Sequence, residues 1–240
     1  IRARRIRDAA PPADAVEREV GRILFQRGYR ADLSHPEQLL RAIITSGRIV
    51  LGVEVARTDR SSFEMRRPHL KPFFHPGVLM PRMARALVNP TQVRAGEVLL
   101  DPFAGTCGIL IEACLIGVNG VGIEVQPRLV NGALCNLQDL DCSLLLGDAK
   151  RLPLKESSID AAVLDTPYGR SAKIMAASKE LLLKESLSEL FRVIRPGRRM
   201  AIVADSSIEE MIEEAGFVLL QKHTDRVHRS LTRQIFICGR

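Results

Sequence analysis

The stretch EVLLDPFAGTCG, Glu97–Gly108, reads as a short apolar strand that ends in an acid and a glycine-containing loop. A helical pattern follows from Gly108 to Ile116, and strand and helix patterns then alternate as far as Gly216. Such alternation is typical of an α/β fold with a parallel sheet. The sequence therefore predicts a domain of this class over residues 90–240.

The end of the chain departs from the alternation. Two strand-like stretches, Phe217–Val227 and Arg233–Gly239, follow each other without a helix between them. Strands joined directly pair as an antiparallel hairpin. We expect this hairpin at one edge of the sheet.

The region before residue 90 follows a different pattern. Residues 14–28 place apolar side chains at helical spacing, with Asp14 as the N-cap and Gly28 as the end. Two strand-like runs around Ser46-Gly47 predict a hairpin. The expected division is a small first module, a connector with a ligand-contacting segment, and the α/β domain: residues 1–57, 58–89 and 90–240.

Charge is distributed unevenly along the 240 residues. Residues 1–100 hold 18 Lys and Arg against 10 Asp and Glu, whereas residues 101–240 hold 17 against 18. A positive balance confined to the first part suits a module that meets a polyanion.

With 46% hydrophobic residues, no apolar run of about 20 residues and no signal peptide, we expect a globular, cytoplasmic protein. The start at Ile1 suggests a piece of a longer chain.

The five cysteines form no C-x-x-C pair and have no histidine cluster beside them. Zinc sites and disulfide frameworks both have recognisable cysteine patterns. We therefore expect neither a metal site nor a disulfide framework.

Each of the first four strands of the α/β pattern ends in an acid: Asp101, Glu124, Asp148 and Asp165. Ligands of open α/β sheets bind beyond the carboxyl ends of the strands. Glu124 is placed to accept hydrogen bonds from ribose hydroxyls, and Asp148 from an exocyclic amine such as adenine N6, with Ala149 as a backbone donor. The chain lacks the G-x-x-x-x-G-K-[ST] loop of nucleotide hydrolases. These features together favour an adenosyl ligand without phosphate.

The same acids lie in motifs that resemble those of a known family. DPFAGTCG, Glu124, Asp148 and the run DTPY at 165–168 resemble a class I S-adenosylmethionine-dependent methyltransferase of the amino-methylating group. More narrowly, FFHPG at 73–77, TPYGRS at 166–171 and VHRSLTR at 227–233 resemble the tRNA guanine-N2 methyltransferases that act on guanosine 10. In that family a THUMP domain comes first, and ADLSHPEQ at 31–38 resembles its latter part.

The resemblance implies a seven-stranded, mostly parallel Rossmann-like sheet, preceded by a partial THUMP-like module. It implies S-adenosyl-L-methionine as cofactor and tRNA as partner, and a small activating protein subunit is a further candidate partner. The predicted cofactor-binding residues are His75, Pro76, Gly77, Asp101, Phe103, Ala104, Gly105, Thr106, Gly108, Glu124, Val125, Asp148 and Ala149.

The run DTPYG gives the predicted catalytic residues Asp165, Thr166, Pro167 and Tyr168. Asp165 and the Thr166 carbonyl would accept the two N–H groups of a guanine exocyclic amine, which directs its lone pair at the methyl carbon. Pro167 would fix the local backbone and Tyr168 would stack on the target base. Thr166 stands where the family usually has proline.

Basic residues near these motifs are candidates for holding phosphates while the base leaves its stack. Those predicted to bind RNA are Arg66, Arg67, Lys71, Arg170, Lys173, His228, Arg229 and Arg233. Cys107 has no partner that would make it a nucleophile, and Phe73 and Phe74 are expected to fill core.

Two alternatives stay open on the sequence alone. Similar acid-Pro-Tyr loops serve amino-methyltransferases that act on adenine in RNA or DNA, or on a glutamine side-chain amide. An RNA-binding subunit that keeps the fold without catalysis is the other alternative.

Overall fold

The computed structural model describes residues 1–167, 176–229 and 231–240, without the side chains of residues 176–178. Three residues with predicted roles, Tyr168, Arg170 and Lys173, lie outside the described residues. The chain divides into two compact units, Ile1–Asp59 and Arg60–Arg240.

The first unit is a small three-stranded sheet with one long helix. Its elements are β1 (Arg2–Arg5), α1 (Ala13–Gln26), β2 (Leu40–Thr45) and β3 (Arg48–Val53). β2 lies in the middle, parallel to β1 and antiparallel to β3, and β2 and β3 form the predicted hairpin around Ser46-Gly47. The expected N-cap is wrong because α1 begins at Ala13, so Asp14 lies in its first turn and pairs with Arg18 at 2.8 Å.

The second unit begins with two helices and continues as a sheet with connecting helices. The helices are α2 (Ser61–Glu64), α3 (Pro81–Val88), α4 (Gly108–Cys114), α5 (Pro127–Leu134), α6 (Ala176–Val193) and α7 (Glu209–Glu214). The strands are β4 (Val98–Asp101), β5 (Asn119–Glu124), β6 (Cys142–Leu146), β7 (Ile159–Asp165), β8 (Ile194–Ala204), β9 (Val218–His228) and β10 (Leu231–Gly239). Among the helices of the described ranges, none is long and apolar enough to span a membrane.

The seven strands of the second unit lie in the order β6-β5-β4-β7-β8-β10-β9. β4, β5, β6, β7 and β8 pair in parallel, and β10 is antiparallel to both β8 and β9. This confirms the predicted class I methyltransferase sheet with an antiparallel C-terminal hairpin. The second strand of the hairpin is the one that joins the sheet, so β9 forms the edge.

Consecutive strand residues point to opposite faces of this sheet, so that each face has its own core. Leu99 and Val163 pack with α3 and α4 on one face. Leu100 and Leu164 pack with α6 and α7 on the other. The resulting three layers fix the strands rigidly, and the ends of β4, β5 and β7 place Asp101, Glu124 and Asp165 at one edge.

One covalent link contradicts the expectation drawn from cysteine spacing. Cys114, at the end of α4, is joined by a disulfide to Cys142, at the start of β6, across 28 residues. The partners are far apart in sequence and meet only because α4 packs beside the β5–β6 edge. Sequence spacing therefore could not reveal this pair.

We expect the free energy of unfolding of the Cys114→Ser variant to be about 3 kcal/mol lower than that of the unaltered chain. The reason is that the disulfide closes a loop and so lowers the conformational entropy of the unfolded chain. Urea unfolding with and without reductant measures the difference. Cys135→Ser is the control, since Cys135 is exposed and free. Five titratable thiols in the denatured, unreduced protein would rule the disulfide out.

Candidate active site

A pocket of about 300 Å³ lies at the carboxyl ends of β4, β5 and β7. Its lining includes all thirteen residues that the sequence analysis predicts for the cofactor: His75, Pro76, Gly77, Asp101, Phe103, Ala104, Gly105, Thr106, Gly108, Glu124, Val125, Asp148 and Ala149. Asp165, Thr166 and Pro167 line the same pocket. The predicted cofactor residues and three of the four predicted catalytic residues thus line one cavity, and the fourth, Tyr168, lies outside the described residues.

The loop between β4 and α4 forms the floor of this pocket, and we call residues 101–108 the cofactor loop. The Ala104 amide donates to the Ile123 carbonyl at 3.0 Å, which fastens the loop to β5. Gly105 has φ +51°, a left-handed conformation that glycine adopts without a steric penalty. Cys107 is buried, and burial raises the pKa of its thiol, which disfavours the thiolate form that a nucleophile requires.

Two buried carboxyl groups face the cavity from the strand ends. Glu124 accepts from the Gly105 amide at 3.0 Å and from the Gln126 amide at 2.9 Å. Asp101 is 1% exposed and accepts from the Phe103 amide at 3.1 Å. Burial and, to a smaller extent, the nearby charges of Asp165 and Glu124 together raise the pKa of Asp101 to about 8, against the lowering effect of the Phe103 hydrogen bond.

This concentration of acids fits a ligand that carries positive charge and hydroxyl groups. A cation next to Asp101 and Asp165 would offset the repulsion that now disfavours ionisation of Asp101. Each carboxylate oxygen of Glu124 accepts one backbone N–H and keeps a second lone pair for a ligand hydroxyl. S-adenosylmethionine, with its sulfonium, ammonium and ribose groups, has this chemistry.

Asp148 lies two residues beyond the end of β6, rather than on the strand itself. It accepts from the Lys150 amide at 3.0 Å, and the Lys150 Nζ lies 3.6 Å from its second oxygen. Ala149 is buried beside it. The position at the pocket wall agrees with a contact to an adenine edge, which stays a prediction.

Among the residues that the structure describes, five line the pocket without having been predicted: Val78, Leu79, Ile109, Gln126 and Leu182. The first four are immediate neighbours of predicted residues, so extending each motif by one or two positions would have found them. Leu182 lies on α6, far from every motif, and no sequence signal pointed to it.

The threonine in DTPY has a structural reason. The Thr166 amide donates to the Val203 carbonyl at 3.0 Å, a bond that extends the pairing of β7 with β8 by one residue. Proline at this position would lack the N–H. Thr166 is 1% exposed, and its hydroxyl has no hydrogen-bond partner among the described residues.

We expect Thr166→Val to keep methyl transfer within about threefold of the unaltered rate, since the backbone amide and carbonyl remain. Removing a buried hydroxyl without a partner should leave the free energy of unfolding unchanged or raise it by about 1 kcal/mol. Initial rates and urea unfolding test both statements. A rate loss of about a hundredfold would show instead that the hydroxyl itself takes part.

The basic residues of the connector differ in their surroundings. Arg66 donates to both oxygens of Glu112, at 2.7 and 3.2 Å, and Glu112 is 1% exposed. Arg85 reaches the same carboxylate at 3.1 Å. Lys71 is half-buried, and burial lowers its pKa. Arg66 thus joins the connector to α4 through Glu112, whereas Arg67 is exposed and pairs with Glu64. The RNA contacts predicted for Arg66, Arg67 and Lys71 stay predictions.

The turn between β9 and β10 brings basic residues to the edge that carries the pocket. Gln234 pairs with Ala204, the last residue of β8, so the start of β10 continues past the end of β8. His228, the last residue of β9, and Arg229, which follows it, are exposed, and Arg233 on β10 is half-buried. Their predicted contact with RNA stays a prediction, and this position favours it.

Comparison with known proteins agrees with the fold. The tRNA (guanine(10)-N2)-dimethyltransferase of Methanothermobacter thermautotrophicus is 37% identical over 244 residues, which cover 98% of this chain and 72% of that protein. Several solved structures share the fold, among them TrmN and an activator-bound methyltransferase. The match to TrmN from Thermus thermophilus covers all of this chain and 71% of the TrmN chain, with a TM-score of 0.62 at 22% identity.

The second structure is a complex of the Haloferax volcanii Trm112 methyltransferase activator with a methyltransferase. The match covers 66% of this chain and 87% of the chain in that structure, with a TM-score of 0.53 at 18% identity. The family model of the RMKL-like methyltransferase domain matches residues 68–235. The predicted methyltransferase is confirmed: the chain belongs to the RMKL-like methyltransferase domain family.

Proposed function

We propose that this chain transfers a methyl group from S-adenosylmethionine to the exocyclic N2 of a guanosine in tRNA, with guanosine 10 as the target. The observation that carries the proposal is the shared cavity, where acids suited to a cationic nucleoside and the run Asp165–Pro167 line one pocket. The name of the Methanothermobacter relative supports the tRNA guanosine as acceptor.

The cofactor would be held by three groups of residues. Glu124 would bind the ribose hydroxyls, and Asp148 with the Ala149 amide would bind the adenine edge. Asp101 and the segment 75–77 would contact the methionine part. When bound, S-adenosylmethionine supplies an electrophilic methyl group on a positively charged sulfur.

The catalytic residues would act on the guanine amine. Its lone pair is delocalised into the ring, so the nitrogen is a poor nucleophile until its hydrogens are held out of the ring plane. The Asp165 carboxylate accepts one N–H and the Thr166 carbonyl accepts the other, which directs the lone pair at the methyl carbon. Asp165 then receives the extra proton from the methylated nitrogen.

A small activating subunit remains a candidate partner. The Haloferax volcanii complex supports it, because the methyltransferase in that complex shares this fold. Assays with and without a Trm112-type protein would show a gain in rate or in solubility if this chain uses such a subunit. The proposed activity does not depend on that result.

The test is transfer of labelled methyl groups from S-adenosylmethionine into unmodified tRNA transcripts, with the Methanothermobacter protein as positive control. Nucleoside mass spectrometry separates N2-methylguanosine from the dimethylated product. A transcript with adenosine at position 10 is the matched control and should receive no label. Label in adenosine, or none in any tRNA despite cofactor binding and activity of the control enzyme, would contradict the proposal.

A further inference from the structure

One side chain outside the pocket connects two of its walls. Asn136 follows α5, and its Oδ1 accepts from the Phe73 amide at 3.0 Å. Its Nδ2 donates to the Phe73 carbonyl at 2.9 Å and to the Thr106 carbonyl at 3.2 Å. Asn136 therefore holds the backbone of the FFHPG segment and that of the cofactor loop with a single amide group.

The chemistry of this contact is specific to asparagine. The site requires one acceptor and two donors, which a carboxamide provides and a carboxylate or a single hydroxyl does not. Aspartate would place negative charge against the two carbonyl oxygens. Glutamine has the right groups on a side chain that is longer by one methylene.

The aromatic ring of Phe73 packs against α5, the helix that ends just before Asn136. A Cβ added at Gly132 would lie 2.4 to 2.5 Å from three ring carbons of Phe73, so the ring lies directly against the α5 backbone. Glycine at this position permits the close approach. Phe73 thus contacts α5 through its ring and Asn136, just after α5, through its backbone.

We infer that Asn136 is a positioning residue for the cofactor, and that it acts by setting the separation between the FFHPG segment and the cofactor loop. Phe73 comes two residues before His75, and Thr106 is itself a lining residue, so both hydrogen-bonded chains continue directly into the pocket wall. Asn136 itself is not among the lining residues. This inference rests on the proposed use of S-adenosylmethionine.

The first test is Asn136→Ala, compared with Asn131→Ala on the exposed side of α5. We expect the Kd and the KM for S-adenosylmethionine to rise about tenfold or more, with kcat at saturating cofactor within about threefold. Asn131→Ala should match the unaltered chain. A folded Asn136→Ala variant that binds the cofactor within twofold of the unaltered chain would overturn the inference.

A second test uses the ring contact and does not remove any hydrogen bond. Gly132→Ala should weaken cofactor binding several-fold because the methyl group displaces Phe73, while alanine favours the helix. Adding Phe73→Leu to Gly132→Ala should recover part of the affinity, since the smaller side chain leaves room. Independent, additive effects of the two substitutions would contradict the coupling.

Hydrogen exchange without any cofactor separates failure of this inference from failure of the proposed function. Asn136→Ala should raise exchange about tenfold at the Phe73 amide and in the cofactor loop. Unchanged protection there would overturn the inference whether or not the protein binds S-adenosylmethionine. Absence of cofactor binding by the unaltered chain would instead overturn the proposed function.

Discussion

Replacing Asp165 with alanine is expected to slow methyl transfer about a thousandfold or more, while the Kd for S-adenosylmethionine stays within about threefold. The carboxylate lies at the end of β7, on the pocket wall next to Thr166. Its proposed role concerns the guanine amine, so the loss should fall on the chemical step. Asp165→Asn keeps one acceptor oxygen without the charge. Its rate of methyl transfer should lie between those of Asp165→Ala and the unaltered chain, about a hundredfold below the latter.

Single-turnover transfer to tRNA, with enzyme and cofactor in excess, measures the chemical step directly, and calorimetry measures cofactor binding. Thr166→Val serves as a matched control beside Asp165, because it alters the adjacent side chain and keeps the backbone. Turnover by Asp165→Ala at the unaltered rate would refute the mechanism. A large loss of cofactor affinity in the same variant would assign Asp165 to binding instead.

The second large effect concerns pH. The pKa of Asp101 is raised to about 8 by burial first and then by the charges of Asp165 and Glu124, so this carboxyl is mostly protonated at pH 7. A cationic cofactor favours its ionised form, and binding should therefore release close to one proton at pH 7. We expect the affinity for S-adenosylmethionine to rise about tenfold for each pH unit from 6 towards 8.

Asp101→Asn is the control for this prediction, since the amide oxygen can still accept from Phe103 and cannot titrate. Its affinity should be lower and independent of pH over the same range. Calorimetry in two buffers with different protonation enthalpies counts the protons released. Equal heats in both buffers for the unaltered chain would contradict the prediction.

The Asp101 carboxyl also makes the free energy of unfolding of the cofactor-free protein depend on pH. Its pKa is higher in the folded chain than in the unfolded chain, where it is about 4. Between pH 4 and 8 the folded state therefore binds more protons than the unfolded state, and this group's contribution to stability falls as pH rises through that window. Asp165→Ala should lower the pKa of Asp101 and weaken the effect.

Much of this site could be predicted because it follows from local pattern. An acid at the end of an apolar run identified Asp101, Glu124 and Asp165, because parallel strands bring their carboxyl ends to one edge. The glycine-containing cofactor loop could be recognised as well, because its acid and its two glycines all lie within eight consecutive residues.

The features that could not be predicted depend on contacts between distant parts of the chain. The charge of Arg66 predicts a phosphate contact, but the sequence gives no sign of its ion pair with Glu112, which lies 46 residues further on. Leu182 lines the pocket through the packing of α6. Asn136 reads as an ordinary helix-end residue until Phe73 and Thr106 are seen beside it.

The place of β10 inside the sheet has a consequence for synthesis on the ribosome. Strands β4 to β8 can pair as they emerge, because each finds its neighbours among residues already made. β9 does not pair with β8, and it joins the sheet only when β10 enters between them. A nascent chain from which β9 has emerged and β10 has not would thus present an open β8 edge, the stage at which a chaperone or a second nascent chain could bind it.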